Sequence, residues 1–213
     1  MTARGTSCEI NGERLWAALM AMAEIGATAD GGVRRLALSD EDRAARDRVI
    51  CWFEHAGLAV RVDDLGNIYG RRAGTAPHDA PVVMGSHLDT VPTSGRFDGA
   101  LGVLGALEVV RALDDAGLRT WRPLEVVCWT NEEGVRFPPA MLASGVISGQ
   151  FTRDQVYAVR DDAGRTFGEE LHRIGYAGAE ASRLSAAAAY LELHIEQGPV
   201  LEEAGADVGI VEG

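Results

Sequence analysis

The sequence predicts an α/β domain built on a mostly parallel central sheet flanked by helices. Two short apolar runs carry most of that expectation, PVVMGS at residues 81–86 and LEVVCWT at residues 124–130. Neither run alternates polar with apolar positions, which is the pattern of strands buried on both faces. Between them residues 99–116 read as one helix, and buried strands alternating with helices argue for parallel neighbours. The third observation is bulk: 213 residues, 46% apolar and 24% charged, are enough for one large domain with a substantial core.

Taken in order, residues 11–25 spell a helix, with Leu15, Trp16, Leu19, Met22 and Ala23 at helical spacing and Gly26 as its stop. A Gly-rich loop leads to residues 39–42 (SDED), which resemble a capping box and open a second helix running to about Ala56, closed by Gly57. Residues 58–63 and 67–71 read as short strands around a turn at 64–66. In the helix at 99–116, Gly99, Gly102 and Gly105 would permit close packing on the sheet. Helices are expected at 139–149 and 166–175, a strand at 187–195 despite its alanine run, and a last strand at 208–211. No internal repeat or low-complexity segment interrupts this order.

Charge and cysteine usage narrow the function classes. The net charge is −12 and no basic run exceeds the pairs Arg34–Arg35 and Arg71–Arg72, so nucleic acid is not an expected partner. Cys8, Cys51 and Cys128 have no motif spacing, and the last two sit in apolar runs and read as buried free thiols, which favours a reducing cytoplasm. The N-terminus MTARGTSCEINGERL has no apolar core of signal-peptide length, and no stretch of about 18 apolar residues occurs, so no membrane is expected either.

The candidate chemistry lies where predicted strands hand over to loops, at the sheet edge where α/β ligands gather. GSHLDTVPTSGRFD at 85–98 supplies His87, Asp89 and Asp98; WTNEEG at 129–134 supplies Glu132 and Glu133; ELHIEQGP at 192–199 supplies His194 and Gln197. Imidazole mixed with carboxylates suits zinc or manganese. In an extended segment Asp89 lies on the same side as His87 and is placed to accept its second ring N–H, unless the pair is only a capped loop. Asp98 precedes a helix, so its spacing is that of an N-cap as much as of a ligand. Adjacent carboxylates repel unless protons or metals relieve them, and at a turn Glu132 and Glu133 can converge, one ligating and one taking a proton; a solvated turn is the plainer reading. His194 and Glu196 share one face of the expected strand, and Gln197 is a turn residue with an amide to offer. His55, His78 and His172 have no acidic partners at useful spacing and read as surface residues. The glycines at 99, 102 and 105 lack the spacing of a nucleotide-binding loop.

Together GSHLDTVPTSGRFDGALGVLGALEV, TNEEGVRFPPAM and ELHIEQGP, with AEIGATADGGVRRLALSDEDRAARD near the start, closely resemble the M20-type metallopeptidase family. The likeness is strongest to its hydantoinase/carbamoylase branch of N-carbamoyl-L-amino acid hydrolases, β-ureidopropionase and allantoate amidohydrolase. The resemblance implies a Zn-peptidase-like catalytic domain with two divalent ions, zinc or manganese. His87, Asp98 and His194 would hold one ion, and Asp98 would bridge to a second, also held by Glu133. Glu132 would be the general base on a bridging water, Asp89 would orient His87, and Gln197 would contact a small ureido or amide substrate. The resemblance also implies a strained peptide after Asp98 and a homodimer formed through a lid domain. Members of the family continue past a strand like 208–211 into that lid, then return to supply a last histidine ligand and an arginine for the substrate carboxylate. The expectation is therefore that residues 1–213 are the N-terminal portion of the catalytic domain, with the lid and dimerisation domain absent. At most one well-ligated site is expected here, with little or no activity from the chain alone. An aminoacylase or dipeptidase of another branch, or a degenerate metal-binding domain, is the alternative.

Overall fold

A computed structural model describes residues 8–211. The chain opens with α1 (Gly12–Ala23), started by Asn11, whose side chain accepts from the Arg14 N–H at 2.9 Å. Leu19, Met22 and Ala23 bury the inner face, whereas Trp16 stays largely exposed and packs at a tilt against Phe97. Ser39 starts α2 (Asp40–His55) by accepting from the Asp42 N–H at 3.1 Å. The expected reciprocal half of the capping box is not made. The Asp42 carboxylate instead accepts from the Leu38 N–H and from buried Arg46.

Five strands form one sheet: β1 (Ala59–Val62), β2 (Ile68–Arg72), β3 (Val82–His87), β4 (Leu124–Trp129) and β5 (Ala189–Leu191), in the order β1-β2-β4-β3-β5. The sheet is mixed: β4–β3 and β3–β5 are parallel, while the β1–β2 hairpin joins β4 antiparallel. Helix α3 (Ala100–Asp115) is the crossover between β3 and β4 and packs on both. Alternation along the strands decides the two faces. Ile68, Val126 and Cys128 enter the main core beneath α2 and α3, whereas Tyr69, Val83 and Val127 form a small second cluster on the other face. That second face is finished by charge, with Arg61 and Arg71 paired to the buried Glu125 carboxylate.

Beyond β4 come α4 (Leu142–Ile147), α5 (Arg153–Ala158), α6 (Phe167–Arg173) and α7 (Val200–Ala204). Neither α5 nor α7 is foreseen from the sequence; α5 is short and set by a local capping box of Thr152 and Gln155. The strand expected at 187–195 shrinks to three residues, because its pairing with β3 stops at Met84–Leu191. Residues 208–211 form no strand and lie exposed. Cys51, expected to be buried, faces solvent on α2, where its neighbours Val49 and Phe53 take the inward positions; Cys128 is buried as expected. Among the described residues no helix is long and apolar enough to cross a membrane.

Candidate metal centre

Parallel pairing of β3 with β4 puts His87 opposite Trp129, so both strands release their loops at the same edge. His87 is the last residue of β3 and Asp89 follows it, Glu132 and Glu133 follow β4, and Asp98 lies at the end of the loop that enters α3. Asn131 makes the turn after β4 in the left-handed region (φ 56°), with its amide donating to the Phe137 carbonyl at 2.9 Å. Thr130 is held by Asn67, whose side-chain oxygen accepts its N–H at 3.0 Å. Asn67 is a residue that the sequence does not single out; its only signal is a polar position opening an apolar strand.

Asp89 does not take the part its spacing suggests. His87 Nδ1 donates to the Asp89 main-chain carbonyl at 2.8 Å, not to its carboxylate. The buried carboxylate faces β4 and accepts the N–H groups of Glu132 and Glu133, each at 3.2 Å. One residue therefore sets the imidazole tautomer with its backbone and clamps the diglutamate turn with its side chain. The reason is local: a strand end buried on both sides leaves two amides to satisfy, and Asp89 is the acceptor within reach.

Gly99 follows Asp98 at φ 63° and ψ −48°, and the Ala100 N–H reaches back to the Asp98 carbonyl at 2.6 Å. This is a γ-turn of the rare positive-φ form, tolerated by glycine. A Cβ there would lie 2.5 Å from His87 Cε1. Gly102, one turn on, performs a second close approach: a Cβ would meet Ser86 Cβ at 2.6 Å and the Leu193 carbonyl at 2.7 Å. The chain carrying His194 thus crosses directly over the first turn of α3, which delivers His194 to Asp98 from a segment outside regular structure.

The result is a group of three candidate ligands, His87, Asp98 and His194, whose ligand atoms lie within 4.8 Å of one another. Nε2 of His194 is 3.3 Å and Nε2 of His87 is 3.9 Å from Asp98 Oδ1. Each histidine directs Nδ1 to a carbonyl, Asp89 for His87 and Ile195 for His194, leaving Nε2 lone pairs turned inward. Asp98 Oδ1 is buried without a hydrogen-bond partner among the described residues, and so is Glu133 Oε1. Orphaned carboxylate oxygens beside inward imidazole nitrogens are what a divalent cation would satisfy, so the donor set fits one. Glu133 does not join the three-residue group, although the charge of Asp98 acts on it. Glu132 comes closer, with Oε2 3.4 Å from His87 Nε2.

Gln197 is turned inward. Held at φ 58°, it donates Nε2 to Asp98 Oδ2 at 2.8 Å, so in this structure it orients a ligand. Glu196 does not share a face with His194; its carboxylate accepts from the Val200 and Leu201 N–H groups at the start of α7. His55, His78 and His172 are exposed and remote from the group, as expected. Electrostatics follow from burial. For His87, burial alone would lower the pKa, but the carboxylates of Asp89 and Glu132 prevail and hold it above the ordinary histidine value. Burial raises Glu133 and Asp89 above the usual carboxylate range, with His87 opposing in both cases.

The family model described as Peptidase family M20/M25/M40 matches residues 83–211, a span that contains all three motifs. An N-carbamoyl-L-amino-acid amidohydrolase of Rhizobium meliloti is 49% identical over 211 residues, covering 99% of this chain and 51% of that protein. An allantoate amidohydrolase of Bacillus subtilis is 38% identical over 192 residues, covering 89% of this chain and 47% of that protein. Among solved structures, a hydantoinase/carbamoylase family amidase from Burkholderia ambifaria superposes with a TM-score of 0.88 at 54% identity, over 93% of this chain and 49% of that one. The chain spans about half the length of the curated relatives it matches.

Proposed function

Because the chain belongs to peptidase family M20/M25/M40, we propose that it carries the metal-ligand half of the active site of an amidohydrolase that cleaves ureido C–N bonds. Its substrates are N-carbamoyl-L-amino acids or close ureido relatives. The observation that carries the metal part is the orphaned Asp98 Oδ1 between two inward-facing imidazoles. His87, Asp98 and His194 would hold one divalent ion, and Asp98 with Glu133 would contribute to a second. Such ions supply polarisation of the ureido carbonyl and acidification of water.

The chain's own residues do the rest. Glu132 has about a third of its side chain open, with Oε2 toward His87, and its amide is fixed by Asp89. In this reading Glu132 Oε2 takes a proton from the attacking water and returns it to the departing nitrogen. Asp89 keeps His87 in the Nδ1–H tautomer and holds Glu132 and Glu133 in their turn. Gln197 fixes the second oxygen of Asp98. The three free thiols are consistent with a cytoplasmic setting.

Within the described residues only one three-ligand group is assembled, so the 213-residue chain by itself is expected to bind one equivalent of metal and turn over slowly or not at all. The test is metal content after dialysis against trace zinc, paired with ammonia release from N-carbamoyl-L-amino acids, allantoate, ureidoglycolate, N-acetyl amino acids and dipeptides. One zinc per chain, lost in His194→Ala, supports the site. No zinc would sink it, and rapid turnover abolished by Glu132→Ala would overturn the inactivity. Preference for N-acetyl amino acids or dipeptides would overturn the ureido assignment.

A further inference from the structure

Under the metal centre lie three buried charges to which the proposed chemistry gives no role: Arg35, Asp42 and Arg46, all from the segment between α1 and α2 or from α2 itself. Arg35 is the least expected, because its guanidinium is directed at main-chain carbonyls. Nε donates to the Leu88 carbonyl at 2.8 Å, and Nη1 to those of Ile25 at 2.8 Å and Met22 at 3.3 Å, beyond and within the last turn of α1. Two further bonds tie the same place: the Arg35 N–H donates to Thr90 Oγ1 and the Thr90 N–H to the Arg35 carbonyl, both at 2.8 Å. Residue 35 is therefore linked to residues 88 and 90 three times, on either side of Asp89.

Arg46 does the matching work at the neighbouring loop. Nη1 donates to the Gly66 carbonyl at 2.7 Å and Nη2 to Thr130 Oγ1 at 3.2 Å, two residues before Glu132. Asp42 lies beside it, accepting from Arg46 Nε at 2.9 Å and from the Leu38 N–H at 2.8 Å. A guanidinium removed from water is costly, and an apolar side chain of similar volume would hold α1 against the sheet at least as well. What arginine adds at position 35 is a fork of N–H groups that joins the carbonyls at the end of α1 to the Leu88 carbonyl, between His87 and Asp89.

We propose that Arg35 is a positioning residue for the metal centre. By holding the Leu88 carbonyl it sets the orientation of His87 and of the Asp89 carboxylate, and through Asp89 it sets the Glu132–Glu133 turn. The inference rests on the metal reading for its purpose, but its structural content stands without metal. The experiment is hydrogen exchange by mass spectrometry on the metal-free 213-residue chain, comparing wild type with Arg35→Lys, Arg35→Met and Thr90→Val. Lysine keeps the charge but lacks the fork, so exchange is expected to accelerate about tenfold at 87–90 and 130–133 while α3 and α6 stay unchanged. Zinc affinity, read by competition with a chromophoric chelator, is expected to fall about tenfold or more. Wild-type exchange at both segments in every variant would overturn the proposal. So would acceleration spread evenly over the whole chain, which would make Arg35 a general stabiliser. If Arg35→Met does not fold, Arg35→Lys and Thr90→Val still decide. A wild-type chain that takes up no zinc would count against the metal reading alone, and the exchange pattern would still decide the role of Arg35.

Discussion

His87, Asp89, Asp98, Glu132 and Glu133 ride on β3, β4 and the start of α3, and most of them are buried. His194 and Gln197 ride on a segment joined to the sheet by three residues of edge strand, with Tyr190, Leu191 and Leu193 exposed along it. One half of the candidate centre is thus assembled by folding itself. The other half is held by side-chain bonds of Glu192 to Ser86 and of Tyr190 to Trp129, by the Gly102 crossing and, at its tip, by the Gln197–Asp98 hydrogen bond. Where ligands come from two such regions, the rigid half sets the geometry. Metal binding then adds stability mainly to the loose half, since a ligand stabilises whatever must be ordered to bind it.

The largest effect should come from breaking the rigid half at its tightest point. Gly99→Ala forces a Cβ to within 2.5 Å of the His87 ring in a backbone that only glycine tolerates. We expect a loss of at least about 3 kcal/mol in urea unfolding, together with loss of zinc binding. A variant of near wild-type stability would mean that the turn after Asp98 is free to relax, and the contrast between the halves would collapse.

Next in size is the anchor of the diglutamate loop. Arg136, two residues past Gly134, donates to Asp161 at 3.0 Å and to Glu170 at 2.6 Å, among largely buried side chains. Arg136→Ala should cost about 2–3 kcal/mol, since it removes the nearest cation shared by two carboxylates of largely buried side chains, leaving the more exposed Arg165 and Arg173. Burial alone would raise the pKa of both acids. The Arg165 N–H and Arg136 on Asp161, and Arg136 and Arg173 on Glu170, more than offset it and hold both below their ordinary values. Their contribution is therefore present above the unfolded values of 3.8 and 4.5 and is lost as pH falls through the lower folded ones. Urea midpoints measured on the acid side should fall in wild type and fall less steeply in Arg136→Ala, where the Arg165 N–H and Arg173 still act. Parallel acid curves would show that the loop is anchored some other way.

The two histidines then separate the halves directly. Both His87→Ala and His194→Ala should abolish zinc uptake at micromolar concentrations. Only His87→Ala should weaken the metal-free chain, by about 2 kcal/mol for a buried, hydrogen-bonded ring. His194, with about a third of its side chain exposed, should cost no more than about 0.5 kcal/mol. Equal losses would mean that the arm is as firmly folded as the sheet.

That contrast also explains what is legible in the sequence. The strands at 82–87 and 124–129 and the helix between them announce themselves through unbroken apolar runs, and His87, Asp98 and Glu132 sit where those runs end. The grouping of His87, Asp98 and His194 is legible only through the family resemblance of the motifs at 85–98 and 192–199, since spacing alone gives His194 no ligand partner. Which atom of Asp89 meets which neighbour is not, because the choice between its carbonyl and its carboxylate is made by tertiary packing against β4. The arm misleads for the opposite reason. Leu193 and Ile195 alternate with His194 and Glu196 as in a strand, yet the pairing with β3 stops at Met84–Leu191 although β3 itself runs on to His87, and periodicity does not record where pairing stops. Arg35 and Arg46 give no signal at all: a buried arginine that donates to carbonyls has the same sequence signature as an exposed one.

The smallest effect sharpens the comparison most finely. Gln197 touches the rigid half through one bond, Nε2 to Asp98 Oδ2 at 2.8 Å, while Oδ1 stays open toward the histidines. Removing that amide leaves Asp98 in place, because the γ-turn and α3 still fix its backbone. It releases the carboxylate to rotate and the arm beyond Glu192 to swing. Gln197→Ala should therefore leave urea unfolding of the metal-free chain unchanged within about 0.5 kcal/mol and weaken zinc about tenfold, as expected for a group that orients a ligand without being one. Gln197→Glu places a negative charge against Asp98 in the metal-free chain and should open the arm further, which added zinc would partly reverse. If Gln197→Ala left zinc affinity unchanged, the bond to Asp98 would be incidental, and the amide would be free for the substrate contact that the family resemblance implies.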